Sequence, residues 1–317
     1  MKGELMNLFV IGNGFDKAHS LKTDYIDFRD FLYENYPDFL SSFEEAYGNC
    51  LESNRELVND SLWRTFEANL CNIAEDYIVD IAASIDLGLE GGDIDIEDTM
   101  MTYWEEQYSY IEKLREFLHE WVTCLDINVP AKTHYIQPMY DEEDDVTEDM
   151  FLTFNYTLVL EDVYKIDSSN ICHIHSSISD GEDELVIGHG NKDKQAHAIE
   201  KMYQAQERCD DKESSIYSVL ATYYEKTEKD VKFFMENNSY FFRSLENVEK
   251  IYIVGHSLGE VDSPYFIEIY KNVAPTTQWI VICRNDSETQ EKMTVLKKLG
   301  VKDGMIIIMS ATEFFDK

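Results

Sequence analysis

The chain has 317 residues, which is enough for one large α/β domain with insertions or for two domains. Its 63 Asp and Glu residues outnumber its 27 Lys and Arg residues, and the net charge of -36 repels nucleic acid and anionic membrane surfaces. The six cysteines are far apart and form no Cys-x-x-Cys pair, which argues against a zinc knuckle or a thioredoxin-type motif.

The apolar stretch near the start is too short for a signal peptide, and no stretch approaches the length of a membrane span. The sequence therefore predicts a cytoplasmic protein without a membrane partner. The densest basic cluster, Lys292 with Lys297 and Lys298, follows an ordinary surface-helix pattern. For this reason a nucleic-acid partner is not expected.

The first predicted element is a strand over residues 5–11 that runs straight into a turn with two glycines, Gly12 and Gly14. A strand that ends in Gly-x-Gly lets backbone N–H groups and a helix N-terminus approach a phosphate, because no Cβ blocks the turn. Lys17 stands where the third glycine of the dinucleotide-binding fingerprint would fall, so we expect a relative of that site and not an ordinary dehydrogenase. A simple strand-to-helix turn is the alternative.

Apolar runs predict seven short strands, most of them without alternation, as in strands buried on both faces of a sheet. They cover residues 5–11, 150–154, 171–175, 184–187, 250–254, 279–283 and 305–309. We expect them to build one mostly parallel sheet of an α/β protein from three separated pieces of sequence.

Apolar residues at three- and four-residue steps predict helices between these strands. Residues 41–128 are expected to form an all-helical insertion, and residues 199–246 a second one. The predicted nucleotide-binding core then consists of residues 1–40, 129–198 and 247–317. The acidic run over residues 141–149 matches no calcium-loop template, so a solvated loop is the better interpretation and no metal is expected.

Polar clusters directly follow four of the predicted strands, at residues 12–16, 153–157, 173–176 and 255–257 with Asp262. Strand ends on one edge of an open sheet converge, so we expect these clusters to meet in one crevice. Asn155 offers both a donor and an acceptor, with which it can orient a water, a ribose hydroxyl or a carboxamide. A turn-forming asparagine is the alternative.

Two histidines, His173 and His175, lie two apart on a predicted strand and therefore point to one face. A metal site would need further ligands, such as His189 or Asp16, and two histidines alone are a weak zinc signal. A general base needs one histidine beside a hydroxyl, and a core histidine bonded to backbone is the third interpretation. We favour His175 as functional, because it lies at the strand end, with His173 as its supporting neighbour.

Residues 255–259 read Gly-x-Ser-x-Gly after a strand, which is the context of a hydrolase nucleophile elbow. An α/β-hydrolase places its histidine after the serine, and His256 is the last histidine of this chain. A serine esterase is therefore disfavoured. We expect Gly255 and Ser257 to bond a phosphate or ribose, and Asp262 to cap the next helix or face the ligand.

Taken together, the motifs resemble those of the abortive-infection AbiH family of bacterial phage-defence proteins. The resemblance rests on residues 11–16 with Ala18, His19 and Leu21, on residues 153–157, 173–175 and 188–190, and on residues 255–259 with Asp262. The set is also similar to a diverged sirtuin-type NAD-binding fold, with a glycine-rich first turn, an asparagine after a central strand and a histidine after the next one. Ser176 occupies the position at which that pattern has glycine, and the sirtuin zinc cysteines are absent.

This resemblance implies a Rossmann-like, sirtuin-like fold with helical insertions, in which NAD is substrate or ligand. It places the catalytic positions at Asn155 and His175. The implied mechanism is cleavage of the nicotinamide glycosidic bond through an oxocarbenium-like transition state. Asn155 would place the ribose or the attacking water, and His175 would take the proton. Ligand-binding positions would be Gly12, Asn13, Gly14, Phe15, Asp16, His19, Thr153, Gly255, His256, Ser257 and Asp262.

Two other functions remain open at this point. One is a non-catalytic sensor that binds a nucleotide and responds through its helical insertions. The other is a metal-dependent nuclease that uses His173, His175 and carboxylates, for which the charge of -36 is an obstacle. Either a homo-oligomer or a phage-derived trigger is a possible partner.

Overall fold

The computed structural model describes residues 6–49, 55–76, 110–137, 149–180 and 185–315. Its strands are β1 (Met6–Ile11), β2 (Met150–Thr153), β3 (Ile171–His173), β4 (Val248–Val254), β5 (Gln278–Cys283) and β6 (Ile306–Ser310). They form one sheet in the order β3-β2-β1-β4-β5-β6, and every neighbouring pair is parallel. This is the strand order of doubly wound nucleotide-binding proteins, and the predicted Rossmann-like α/β fold is confirmed.

Six of the seven predicted strands are present, with ends that differ by a few residues. The exception is the run at 184–187, of which the described residues Leu185, Val186 and Ile187 are buried without joining a ladder. A short apolar run is equally consistent with buried irregular chain, which is why its composition misleads. Predicted elements within residues 77–109 and 138–148 lie outside the described residues.

Helices lie in both predicted helical stretches, as far as the described residues cover them. In chain order they are α1 (Gly14–Ala18), α2 (Tyr25–Asn35), α3 (Pro37–Ala46), α4 (Arg55–Val58), α5 (Phe66–Asn69), α6 (Tyr110–Thr123), α7 (Val159–Asp162), α8 (Asp193–Glu207), α9 (Asp211–Thr227), α10 (Val231–Asn237), α11 (Ser239–Arg243), α12 (Ser263–Asn272), α13 (Asp286–Leu299) and α14 (Ala311–Phe314). None of the helices in the described segments is long and apolar enough to cross a bilayer.

Tertiary contacts divide the chain into two compact units. The first comprises residues 1–23, 119–185 and 230–317 and contains the sheet. Alternate residues of each strand enter two separate apolar layers, one on each face. In β1, for example, Leu8 and Val10 face one layer, whereas Phe9 and Ile11 face the other. Both faces are covered, which explains why the strands lack a polar alternation.

The second unit comprises residues 24–118 and 186–229, and its described secondary-structure elements are helices apart from one isolated β-bridge. Its centre combines an aromatic stack of Trp63 on Phe66 with a buried ion pair between Arg29 and Glu44. The indole N–H of Trp63 also donates to Glu44. These bonds satisfy a carboxylate that would otherwise be costly to bury.

Strands β1 and β4 are joined beyond their ends by backbone contact between the turns that follow them. Gly12 N–H donates to Val254 O, and Gly14 N–H donates to Gly255 O, both at 2.9 Å. A Cβ on Gly255 would lie 2.3 Å from the backbone N of Phe15, and Gly255 has a φ of +67°. Only glycine allows two main chains to approach this closely.

Replacement of Gly255 by alanine is expected to lower the free energy of unfolding by about 3 kcal/mol, because the new methyl group overlaps the Phe15 backbone in a left-handed residue. The matched control is Gly304→Ala, since no atom lies within 4 Å of a Cβ at that position. The control should change stability by less than about 0.5 kcal/mol. Urea unfolding of both variants tests this, and equal stabilities would contradict the packing described.

Candidate active site

The carboxyl ends of β1, β2, β3 and β4 lie side by side at one edge of the sheet. The chain moves outward from β1 to β2 and β3, and then returns to place β4 on the other side of β1. Such a reversal of strand order is where open α/β sheets bind ligands. The polar clusters predicted from the sequence follow these four strands.

Asp16 is the most deeply buried carboxyl of this edge, with 1% of its surface exposed. It lies in α1, directly after the glycine turn, and its Oδ2 accepts a hydrogen bond of 2.7 Å from the hydroxyl of Thr157. Burial raises the pKa of Asp16 from 3.8 to about 6, although bonds from Thr157 and Asn155 oppose the shift. The carboxyl therefore changes charge close to neutral pH.

Asn155 connects the turns that follow β1 and β2. Its side-chain N–H donates to Gly12 O at 3.3 Å, and its backbone N–H donates to the hydroxyl of Thr153 at 3.1 Å. Asn155 is 7% exposed, and its side-chain hydrogen bond to Asp16 opposes the rise that burial causes in the pKa of that carboxyl. Asn155 is thus more than a turn residue, because its amide serves a neighbouring loop and a buried carboxyl.

His173, at the end of β3, is held between two elements. Its Nε2 lies 2.8 Å from Oε1 of Glu161 in α7, and its Nδ1 lies 3.2 Å from the backbone O of Asn155. The side chains of His173 and Glu161 are 13% and 20% exposed. His173 therefore contacts the Asn155 backbone and Glu161, and the contacts described for it do not include His175, the neighbour that it was expected to support.

His175 and His256 face the same carboxylate. Their Nε2 atoms lie 3.8 and 3.5 Å from the two oxygens of Asp262, and both imidazoles are buried. The backbone N–H of Leu258 donates to Nδ1 of His256, so the proton of a neutral His256 lies on Nε2, toward Asp262. The ring of Phe154 packs edge-on against both imidazoles.

Two residues beside these histidines have the left-handed backbone conformation that L-residues rarely adopt. Ser176 follows His175 and has a φ of +62°, and Leu258 has a φ of +58°. Each costs on the order of 1 kcal/mol, and such residues concentrate at ligand sites.

The glycine amides of the first turn, which were expected to hold a pyrophosphate, have hydrogen-bond partners within the protein. The N–H groups of Gly12 and Gly14 already donate to β4 and to the turn after it, so they are not available to a pyrophosphate in this structure. The Asn13 amide donates to Thr23 O within its own loop. The Gly-x-Gly sequence is explained here by contact between two protein backbones.

Three of the predicted ligand-binding residues lie apart from these hydrogen bonds. Phe15 is buried in the apolar layer on one face of the sheet. His19 is buried with Nδ1 at 2.8 Å from Phe15 O and Nε2 at 2.8 Å from the hydroxyl of Tyr164, so both ring nitrogens have structural partners. Ser257 is exposed.

Sequence reasoning missed three residues that complete the site: Thr157, Glu161 and Tyr265. Thr157 belongs to the cluster after β2 but had no assigned role, and only its contact with Asp16 reveals one. Glu161 and Tyr265 lie in helices, and the contact of the Tyr265 ring with His175 and Phe154 follows no pattern in the sequence. No local sequence pattern marks a helical side chain that contacts residues at the end of a strand.

His189 belongs to the second unit and not to the sheet. Burial lowers its pKa to about 4, and its Nδ1 accepts a hydrogen bond from the backbone N–H of Asn191. Within the five described segments, no group of three or more His, Cys, Asp or Glu side chains is arranged to hold a metal ion. The nuclease interpretation therefore has no metal cluster to support it in those segments.

The arrangement can bind hydroxyl groups and exchange a proton near neutral pH. Asp16 and the pair of His175 with Asp262 supply groups of the acid and base type, and Asn155 supplies an oriented amide. Burial strengthens the electrostatic effect of each group, because water does not screen it. These properties suit chemistry on a sugar or a water molecule.

A family model described as Bacteriophage abortive infection AbiH matches residues 8–283 of the chain. The matched range contains every residue of the candidate site, from Gly12 to Tyr265. A search of the curated proteins finds no match.

The raised pKa of Asp16 predicts how stability changes with pH. The folded-state value of about 6 exceeds the ordinary 3.8, so the folded protein retains a proton that the unfolded chain releases. Stability contributed by this proton is lost as pH rises from about 4 to about 6. We expect Asp16→Asn to match the wild type near pH 4 and to exceed its free energy of unfolding by about 3 kcal/mol at pH 8.

Urea unfolding at a series of pH values measures this difference. The control is Asp167→Asn, because hydrogen bonds from Ser169 lower the pKa of that exposed carboxyl and the pH dependence has the opposite sign. An Asp16→Asn difference that is independent of pH would show that the carboxyl is already ionised without cost.

Relief of backbone strain predicts that Ser176→Gly stabilises the protein by about 1 kcal/mol. The same change at Ser168, whose φ is not positive, should destabilise by about 0.5 kcal/mol through the added freedom of the unfolded chain. Thermal unfolding distinguishes the two, since the midpoints should move in opposite directions.

Proposed function

We propose that this chain, which belongs to the bacteriophage abortive infection AbiH family, binds NAD or a related nucleotide at the carboxyl edge of its sheet and hydrolyses it. The family accounts for a role in defence against bacteriophages. The nucleotide and its cleavage are the proposal, and the chemistry of the buried edge supports them.

The observation that carries the proposal is the burial of Asp16, Asn155 and His175 at the carboxyl edge of the sheet, with the partly buried Asp262 beside His175. An apolar set of residues would close this edge at lower cost, because a carboxyl with a pKa near 6 is destabilising when ionised. Proteins that retain destabilising buried polar residues usually need them for function. The strand order supports the proposal, because doubly wound proteins with this order bind nucleotides at the corresponding edge.

The proposed reaction consumes one water molecule. The bond between ribose C1′ and the nicotinamide nitrogen breaks, and its electron pair leaves with neutral nicotinamide. Water forms a new bond to C1′ and gives its proton to His175. The products are nicotinamide, ADP-ribose and a proton, and no other reactant is needed.

The residues of the site have separate roles in this proposal. The Asn155 amide orients the ribose or the attacking water. His175 accepts the proton, and Asp262 stabilises the imidazolium that forms, since its carboxylate lies 3.8 Å from Nε2. Asp16, ionised above pH 6, faces the positive charge that develops on the sugar.

The burial of Asn155 and His175, the two proposed catalytic residues, also supports a non-catalytic nucleotide sensor. Asn155 and His175 are 7% and 3% exposed, and the Gly12 and Gly14 amides have partners within the protein. A ligand must displace some of these contacts before it reaches the site. A sensor that binds a nucleotide and changes conformation without cleaving it uses the same displacement.

If the chain hydrolyses NAD, the NAD content should fall in infected cells that carry the wild-type chain. It should not fall in cells that carry Asn155→Ala or His175→Ala. Each substitution removes an orienting or proton-transfer group, so turnover should fall by about 100-fold or more. The measurement is the NAD and nicotinamide content of infected cultures, together with phage yield.

The matched control for Asn155→Ala is Asn170→Ala. The Asn170 amide also donates one hydrogen bond to a backbone oxygen, that of Asp149, but Asn170 directly precedes β3 and so lies at the amino end of the strands. The control should deplete NAD as the wild type does. Unchanged NAD depletion in Asn155→Ala and His175→Ala would refute their catalytic role. If defence depends on both residues while NAD stays intact, the sensor is the better account.

A further inference from the structure

Strand β6 forms one edge of the sheet. Its five residues, Ile306–Ser310, pair in parallel with β5, and no other described strand lies on its outer side. An outer edge presents unpaired backbone N–H and C=O groups that can pair with another strand.

The side chains of β6 do not protect this edge. Ile307 and Ile308 are 40% and 39% exposed, although they lie on opposite faces of an apolar strand. Ile307 pairs with Ile280 on one face, and Ile308 pairs with Val281 on the other. The strand contains no charged residue and no proline, which are the residues that commonly block edge pairing.

The opposite edge of the sheet differs. Strand β3 has three residues, and the left-handed Ser176 ends its extended chain soon after His173. A very short edge strand is a common form of protection. The asymmetry suggests that the β6 edge is built to be covered.

Charge decides which partner suits this edge. Most of the surface of a chain with a net charge of -36 repels a second copy. Residues 297–313, by contrast, contain three exposed lysines against one exposed aspartate and one exposed glutamate. Lys302 is exposed just before β6 and Glu313 just after it, so antiparallel pairing brings opposite charges together at both ends.

We propose that two copies of this chain pair along β6 in antiparallel orientation, which extends the six-stranded sheet to twelve strands. A two-fold axis near Ile307 and Ile308 pairs these residues with the same two residues of the second copy. Such an interface is self-complementary, as closed dimers require. Antiparallel pairing also turns the two carboxyl edges in opposite directions, so the interface covers neither candidate site.

The dimer should be weak. Five residues on each side bury less than the roughly 1,200 Å² of a standard stable interface, and the net charges of the two copies oppose each other. Salt screens this repulsion, because the Debye length falls from about 30 Å at 0.01 M to about 8 Å at 0.15 M. Association should therefore increase with salt, in contrast to an interface held by salt bridges.

Sedimentation of the full chain from about 1 to about 200 µM tests the proposal, since a weak dimer responds to protomer concentration. The wild type should change from monomer toward dimer, with a higher dimer fraction at 0.5 M than at about 0.05 M NaCl. Ile307→Lys and Ile308→Lys should weaken association at least about tenfold, because a buried lysine at the new interface lacks a partner.

The matched control is Tyr240→Lys, which places the same charge on the most exposed large apolar residue of α11, at 83% exposure. It should dimerise as the wild type does. A wild type that stays monomeric throughout would overturn the proposal, and so would dimerisation lost in Tyr240→Lys but retained in both isoleucine variants. Circular dichroism confirms that each variant is folded. Because mass is the readout, the result is independent of the proposed hydrolysis of NAD.

Discussion

The backbone contact between the turns after β1 and β4 is the constraint on which the candidate site depends. Gly12 and Gly14 donate to Val254 and Gly255, and Gly255 has no room for a Cβ. This contact closes the point at which the strand order reverses. It brings the loop that carries His256 and Asp262 beside the turn that leads to Asp16. Without it, β1 and β4 would still pair, but the polar groups beyond them would have no common edge.

A second constraint follows from the first, since closing the edge buries polar groups. Asp16 has a raised pKa, and Ser176 and Leu258 have left-handed backbones. Each of these features is destabilising by itself. Stability is supplied by the two apolar layers of the sheet, where strands such as β1 are buried on both faces. The polar groups thus lower the stability of the fold at one edge, and burial of apolar side chains in the two layers compensates for this loss.

Much of the fold was predictable, because buried parallel strands have a strong apolar signal. The run at 184–187 shows the limit of that signal, since apolar composition records burial and not hydrogen bonding. For the site, the positions of Asp16, Asn155 and His175 directly after strands were enough to expect them at one edge. The contact of Thr157 with Asp16 and that of Glu161 with His173 were not predictable, because contacts between elements leave no characteristic spacing in the chain.

The sequence by itself determined the α/β class, the helical character of the stretches between the strands, the family, and the set of polar residues that follow the strands. It did so through local periodicity and motifs, which depend on neighbours in the chain. Only the tertiary structure decided that the Gly-x-Gly amides bond to the protein's own backbone, that burial moves the pKa of Asp16 toward neutrality, and that β6 is the outermost described strand beside β5. These properties arise from atoms far apart in sequence, and the distance and burial that set their energies exist only in the folded chain.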